Sequence, residues 1–319
     1  MDDLTTLLHD AVEDVDPSER LAAIRQRTTR RTSRRWGVVG GAALATAAVV
    51  IGIALASRPT AQPGPGPSTT PSEATDDGRP EGTAIPVYYA GETPQGRRLF
   101  REFRYARDGV PSKSGVSFVG EAPYDPDYLS LWPLQSLTQE PGTDTLARVE
   151  VDGWLVDRPS GMSEADARLA LQQVVYTAQA DAQLPLEVEF LVDGRPAKRV
   201  LGIPLDGPVS KAPQLETLAL VSISNPVEGR QVVDTFSADG VASSFEGTVA
   251  WELRDAEGKV VREYSAQGTM EDHLTPWATG PIDVSDLPPG TYVFEARTDD
   301  PTGGELGGPT VDTRTITIL

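Results

Sequence analysis

Cysteine is absent from all 319 residues, which excludes disulfides, thiolate metal sites and a cysteine nucleophile. Histidine is almost absent, at two residues, so a multi-histidine metal site or a Ser-His-Asp triad has little to build from. No Ser-x-x-Lys occurs, which removes a penicillin-binding-type serine site. No EF-hand spacing, P-loop or G-x-G-x-x-G fingerprint is found either. Positive charge is also scarce. Lys and Arg number 28 against 47 acids, for a net charge of −19. Residues 1–35 hold seven acids and seven Arg and cancel, so the body beyond carries the whole excess. Such a body repels phosphate at long range, which argues against nucleic acid as a partner.

What the chain does have is one long uncharged run, residues 36–56, between Trp36 and Ala56. As a helix it would rise about 31 Å, the thickness of a bilayer core. Arg25, Arg27, Arg30, Arg31, Arg34 and Arg35 crowd its N-terminal side, whereas Arg58 alone follows closely on the other. The positive-inside rule then predicts a single-pass cell-membrane protein with a cytoplasmic N-terminus and an extracytoplasmic body. Gly37, Gly41, Ala45, Ala48 and Gly52 form a small-residue face suited to close helix pairing, and hence to a homo-oligomer. A rival reading is a cleaved export signal. Arg34-Arg35 and Ala54-Leu55-Ala56 fit it, and the length of the run opposes it.

Residues 1–35 read as a cytoplasmic helical head. Leu4, Leu7, Leu8, Ala11, Val12 and Val15 recur at helical spacing, and Asp16-Pro17-Ser18-Glu19 opens a second helix. Residues 57–83 are a Pro/Gly/Ser-rich linker with no apolar period, able to reach about 75 Å. The next stretch, 84–205, reads as strands plus one packed helix. Ser163 caps that helix, and Ala167, Leu171, Val174, Val175 and Ala178 line one face. A hairpin is predicted around Asp152-Gly153, joining 146–151 to 154–156, and another around Asp193-Gly194, joining 186–192 to 198–203. Residues 108–139 show few clear periods. Residues 216–319 read as about seven short strands, an antiparallel sandwich with Trp251 as its core plug.

Several of these pieces resemble known families. PVYYAGETPQGRRLFREF, PYDPDYLSLWP, LALQQVVYTA and LPLEVEFLVDGRP fall in the order seen in the GerMN domain. NPVEGRQV, FEGTVAWELRDAEGKVV and LPPGTYVFEA resemble Gmad2, an immunoglobulin-like domain associated with spore germination. The resemblance implies an α+β GerMN-like domain over 84–205 and an all-β Gmad2-like sandwich over 216–319, which with the uncharged run gives a multidomain fold: a single transmembrane helix, then these two domains. The GerMN pattern departs after Tyr105, where Pro111, Gly115 and Gly120 interrupt an expected amphipathic helix.

Candidate chemistry is thin. His273 follows Glu271-Asp272, and residues 115–120 imitate a nucleophile elbow with one residue too many. Asp125/Asp127, Asp299/Asp300 and Glu305 are carboxylates that could hold Ca²⁺ or act on a glycan. Tyr88, Tyr89, Tyr124, Tyr128, Trp132 and Trp154 suit core packing or a binding face. No catalytic residue, metal site or cofactor is assigned. The expectation is a non-enzymatic extracytoplasmic binding or assembly protein of the bacterial envelope, related to sporulation or germination complexes, with envelope proteins as partners. The alternatives are a protein that binds or acts on wall glycan, with peptidoglycan as partner, and a signalling receptor.

Overall fold

The computed structural model describes residues 82–106, 114–269, 271–300 and 307–319, all within one compact unit spanning Thr70–Leu319. Two apolar cores organise it. One gathers residues between Ile85 and Ala219, the other residues between Val221 and Ile318.

The first lobe begins with β1 (Thr83–Gly91) and β2 (Arg98–Ala106), paired antiparallel from Thr83↔Ala106 to Gly91↔Arg98. A short helix α1 (Gly115–Phe118) follows, and β3 (Tyr128–Leu129) joins the free edge of β1. A second sheet has the order β4 (Leu137–Thr143), β5 (Leu146–Val151), β6 (Glu187–Val192), β7 (Arg195–Pro196). Strands β5 and β6 are parallel, and the helix α2 (Glu164–Ala182) makes the crossover that parallel strands need. Strands β8 (Arg199–Val200) and β9 (Ile203–Pro204) form a small hairpin.

Helix α2 starts where its sequence says it should. The Ser163 hydroxyl accepts the Asp166 amide at 3.0 Å, and Glu164 and Asp166 place negative charge in the first turn. The helix packs against both β1 and β6, which is why its apolar face is wide. Two polar residues are fully buried on it, and both are hydrogen-bonded. Thr177 accepts the Tyr88 amide at 3.1 Å, and Gln173 accepts the Leu131 amide at 3.2 Å.

The short helix α3 (Gln214–Thr217), packed on β2 of the first lobe, leads into the second lobe. Its strands are β10 (Val221–Asn225), β11 (Arg230–Val232), β12 (Thr235–Phe236), β13 (Asp239–Ala242) and β14 (Thr248–Arg254). They continue with β15 (Val260–Gln267), β16 (Thr275–Ala278), β17 (Ile282–Asp283), β18 (Gly290–Thr298) and β19 (Val311–Ile318). Eight of them run in the order β10-β13-β16-β15-β14-β18-β19-β11, with β12-β17 as a separate pair. Strands β15 and β16 share a single residue pair, Gln267↔Ala278. The sheet turns there, and β10 packs across onto β18 and β19. Val221 and Ile223 from one leaf meet Trp251, Phe294 and Ile316 from the other in one core.

The expected fold class needs correction. The described residues are mostly strand, with few helices, and of the three α-helices only α2 is longer than four residues. No helix among the described residues is long and apolar enough to cross a membrane, so a single transmembrane helix is not part of the fold seen here. Helix α2 has the length, at 19 residues, but it carries Glu164, Asp166, Arg168 and Asp181. Residues 36–56, on which that expectation rested, lie outside the described residues, as do the head 1–35 and nearly all of the linker 57–83.

The hairpin expected around Asp152-Gly153 is also replaced. Strand β5 ends at Val151, and Gly153–Val156 forms a 3₁₀ turn that buries Leu155. The antiparallel partner of β5 is β4, which sequence periodicity did not reveal. Only Leu137 of β4 is buried, so an edge strand of this kind has no alternation to read. The Asp193-Gly194 turn forms with both residues at positive φ, but it returns into the two-residue strand β7 rather than into the strand expected over 198–203, where β8 and β9 make a hairpin of their own.

Candidate functional site

A buried polar cluster lies at the seam between the two cores. Strand β19 alternates strictly, with Asp312, Arg314, Ile316 and Ile318 all facing inward. Its apolar half enters the second core, and its charged half meets the first lobe. The Arg314 guanidinium lies 2.5 Å from Asp125 Oδ2, 2.9 Å from the Tyr128 hydroxyl and 3.0 Å from Asp312 Oδ1. Its other terminal nitrogen donates to the Ile223 carbonyl at 2.8 Å. Asp312 accepts the Ile223 amide at 2.6 Å and the Tyr128 hydroxyl at 2.5 Å. The backbone of β10 is thus satisfied by two side chains on β19, as a neighbouring strand would satisfy it.

The first-lobe half is held just as firmly. Glu102 accepts the Asp125 amide at 3.0 Å, and Asp125 Oδ1 accepts the Asp127 amide at 2.8 Å. Tyr128 stacks on Phe100 at 4.9 Å between ring centres. Around the cluster, Asp127 accepts the Thr313 hydroxyl at 2.7 Å, and Arg101 donates to the Ser224 hydroxyl at 2.7 Å. The Ala219 amide reaches the Leu99 carbonyl at 3.0 Å.

Burial pushes the Asp125 carboxyl up to about 7, against the lowering pull of Arg314. Burial likewise holds the Tyr128 phenol well above its usual value. For Arg314 burial alone would lower the value, but Asp312, Tyr128 and Asp125 outweigh it and raise it. With Asp125, Asp312 and Arg314 at most 3% exposed, the cluster is closed to any substrate. Its chemistry is that of a fastener.

The other sequence candidates are dispersed. His273 is exposed, with Nδ1 2.9 Å from Asp272 Oδ1. Residues 115–118 form α1, where the Ser117 hydroxyl meets that of Ser114 at 3.1 Å, so no nucleophile elbow exists. The Asp299 amide bonds to Ser244 and the Asp300 amide to Asp299, while Glu305 lies outside the described residues. Among the described residues, no group of three or more His, Asp or Glu is placed to hold a metal. Of the six aromatics, Tyr89, Tyr128 and Trp132 are buried and Tyr88 is half-buried, whereas Tyr124 and Trp154 are 58% and 60% exposed. Trp154 stands on the 3₁₀ turn, whose last residue, Val156, lines an open groove of about 370 Å³ together with Val192, Arg195 and Lys198 among others. Trp36, Ala56, Gly37, Gly41, Ala45, Ala48 and Gly52 lie outside the described residues.

Asp312 and Arg314 were missed by sequence reasoning. The alternation that places Ile316 and Ile318 in a core puts both charges on the same face, and that signal was available.

Comparison with known proteins adds the following. The tandem GerMN domains of the sporulation protein GerM from Bacillus subtilis align at 12% identity and a TM-score of 0.31, covering 64% of this chain and 63% of that one. This chain therefore spans under two thirds of that structure's length. CopC from Methylosinus trichosporium OB3b aligns at 16% identity and a TM-score of 0.23, covering 31% of this chain and 92% of that one. No curated protein matches the chain. Residues 220–305, a segment of the second lobe, match the family model of Gmad2, the immunoglobulin-like domain of bacterial spore germination.

Proposed function

We propose that this is a non-enzymatic binding or assembly protein, acting on the extracytoplasmic side of a bacterial envelope in a complex of the sporulation or germination type. The observation that carries the reading is Asp125. It belongs to a carboxylate pair of the first lobe that could have served chemistry, and it is buried and committed to Arg314. Its partner Asp127 is committed to Thr313 of the second lobe. These acids join two cores into one body, which is what a scaffold needs. The Gmad2 match supports the sporulation or germination setting. Exposed aromatics, Trp154 and Tyr264 among them, offer contact area at low entropic cost.

The test is photo-crosslinking in cells from positions 154 and 264, paired with retention on purified peptidoglycan. A discrete protein adduct from either position supports assembly. Wall retention or wall solubilisation with no protein adduct overturns it in favour of a glycan-directed protein.

A further inference from the structure

The seam between the lobes is unbalanced in charge. Asp125 and Asp312 bring two carboxylates to one guanidinium, that of Arg314, and all three are buried. The other charged groups facing the cluster do not correct this. Glu102 is paired with Arg104 at 3.3 Å, which is neutral as a unit. Glu228 accepts the Thr315 amide and adds negative field on Asp125. Asp127 lies at the surface against Thr313. The Arg101 guanidinium is turned to the Ser224 hydroxyl while its backbone amide donates to Ser222, and Arg230 donates to Asn225. Tyr128 is a phenol donating to Asp312. A closed cluster with one uncompensated negative charge is costly in a medium of low dielectric, and one proton removes the excess.

We propose that the seam binds one proton at Asp125 in the closed state, so that the two lobes grip most tightly in acid and loosen as the medium turns alkaline. The elevated value of Asp125, about 7, agrees with this. The direction follows from linkage. Between the ordinary value of 3.8 and about 7 the folded chain holds more protons than the unfolded one, so stability falls as pH rises through that window and levels off above it. The inference does not depend on the assembly reading, because it concerns only how the body is fastened.

The test uses the full chain and its Asp125→Asn variant, which keeps a neutral hydrogen-bonding group at the position. Hydrogen exchange is followed at the Ile223 amide, which Asp312 accepts, with urea midpoints at pH 5, 6, 7 and 8. After correction for intrinsic exchange, wild-type protection at Ile223 should drop by about tenfold or more from pH 5 to pH 8, and the variant should be nearly flat. Equal slopes in the two proteins, or no drop in the wild type, overturn the proposal. Should Asp125→Asn not fold, carboxyl-carbon NMR of the wild type decides. An Asp125 carboxyl titrating above pH 6 supports the latch, and titration below that value overturns it.

Discussion

Arg314 and Asp125 stand 189 residues apart in the chain, yet their side chains meet at 2.5 Å with 3% and 2% of their surface exposed. One residue belongs to the last strand of the second lobe and the other to a loop of the first. Their meeting makes the two cores a single body.

Replacing Arg314 should therefore be severe. Arg314→Met removes the one cation between Asp125 and Asp312 and leaves the Ile223 carbonyl without its donor. A loss of about 3–5 kcal/mol is expected, the usual cost of breaking a buried pair from one side. Urea unfolding at pH 7 measures it, and a loss under about 1 kcal/mol would show that the seam is loosely held.

Gly240 should not tolerate a methyl group. A Cβ there would sit 2.0 Å from the Ser222 carbonyl oxygen, on the neighbouring strand of the sheet. Gly240→Ala is expected to cost about 1–3 kcal/mol or more, because backbone must move. Gly290 is the control, since a Cβ there meets nothing closer than the Tyr292 ring at 3.9 Å. Thermal unfolding of the two variants compares them directly.

Two tryptophans should behave oppositely. Trp251 is 7% exposed and packs on Phe294 at 5.7 Å, so Trp251→Ala should cost about 3–5 kcal/mol. Trp154 is 60% exposed, and Trp154→Ala should change stability by no more than about 0.5 kcal/mol. If Trp154 serves a partner, the same substitution should weaken crosslinking from neighbouring surface positions while leaving the melting curve in place.

Acid should act on a second site with the opposite sign to the seam. The hydrogen bond from Arg297, with the charge of Arg254 nearby, holds the Glu252 carboxyl below its usual 4.5. A depressed value gives stability that is present above 4.5 and lost as pH falls through the lower folded value. Glu252→Gln should flatten the acid limb of the stability curve below pH 4.5 and leave the region above pH 6 to the seam. Chemical denaturation from pH 3 to pH 8 separates the two.

Local structure was legible wherever one face of an element is buried. Helix α2 announced itself through Ser163 and its apolar face, and β14–β15 through the alternation around Trp251. Strands β4, β13 and β16 were not foreseen. Strand β4 buries Leu137 alone, and β13 and β16 are four residues each, too short for a period to emerge. The count of about seven strands expected beyond residue 216 was low because β13 and β16 were missed and the one strand expected over 232–236 is two, β11 and β12, so that ten are found among the described residues.

The sequence alone determined the composition of each lobe. It set the absence of thiol chemistry, the acidic balance, the helix start at Ser163 and the hairpin turn at Asp193-Gly194, because each depends on residues close together in the chain. Only the tertiary structure decided what the charges do. Asp125 looked like half of a catalytic or metal-binding pair beside Asp127, and it became a fastener when β19 brought Arg314 to it. Contacts across 189 residues carry no local period, and burying a carboxylate becomes tolerable only when a distant partner is in place.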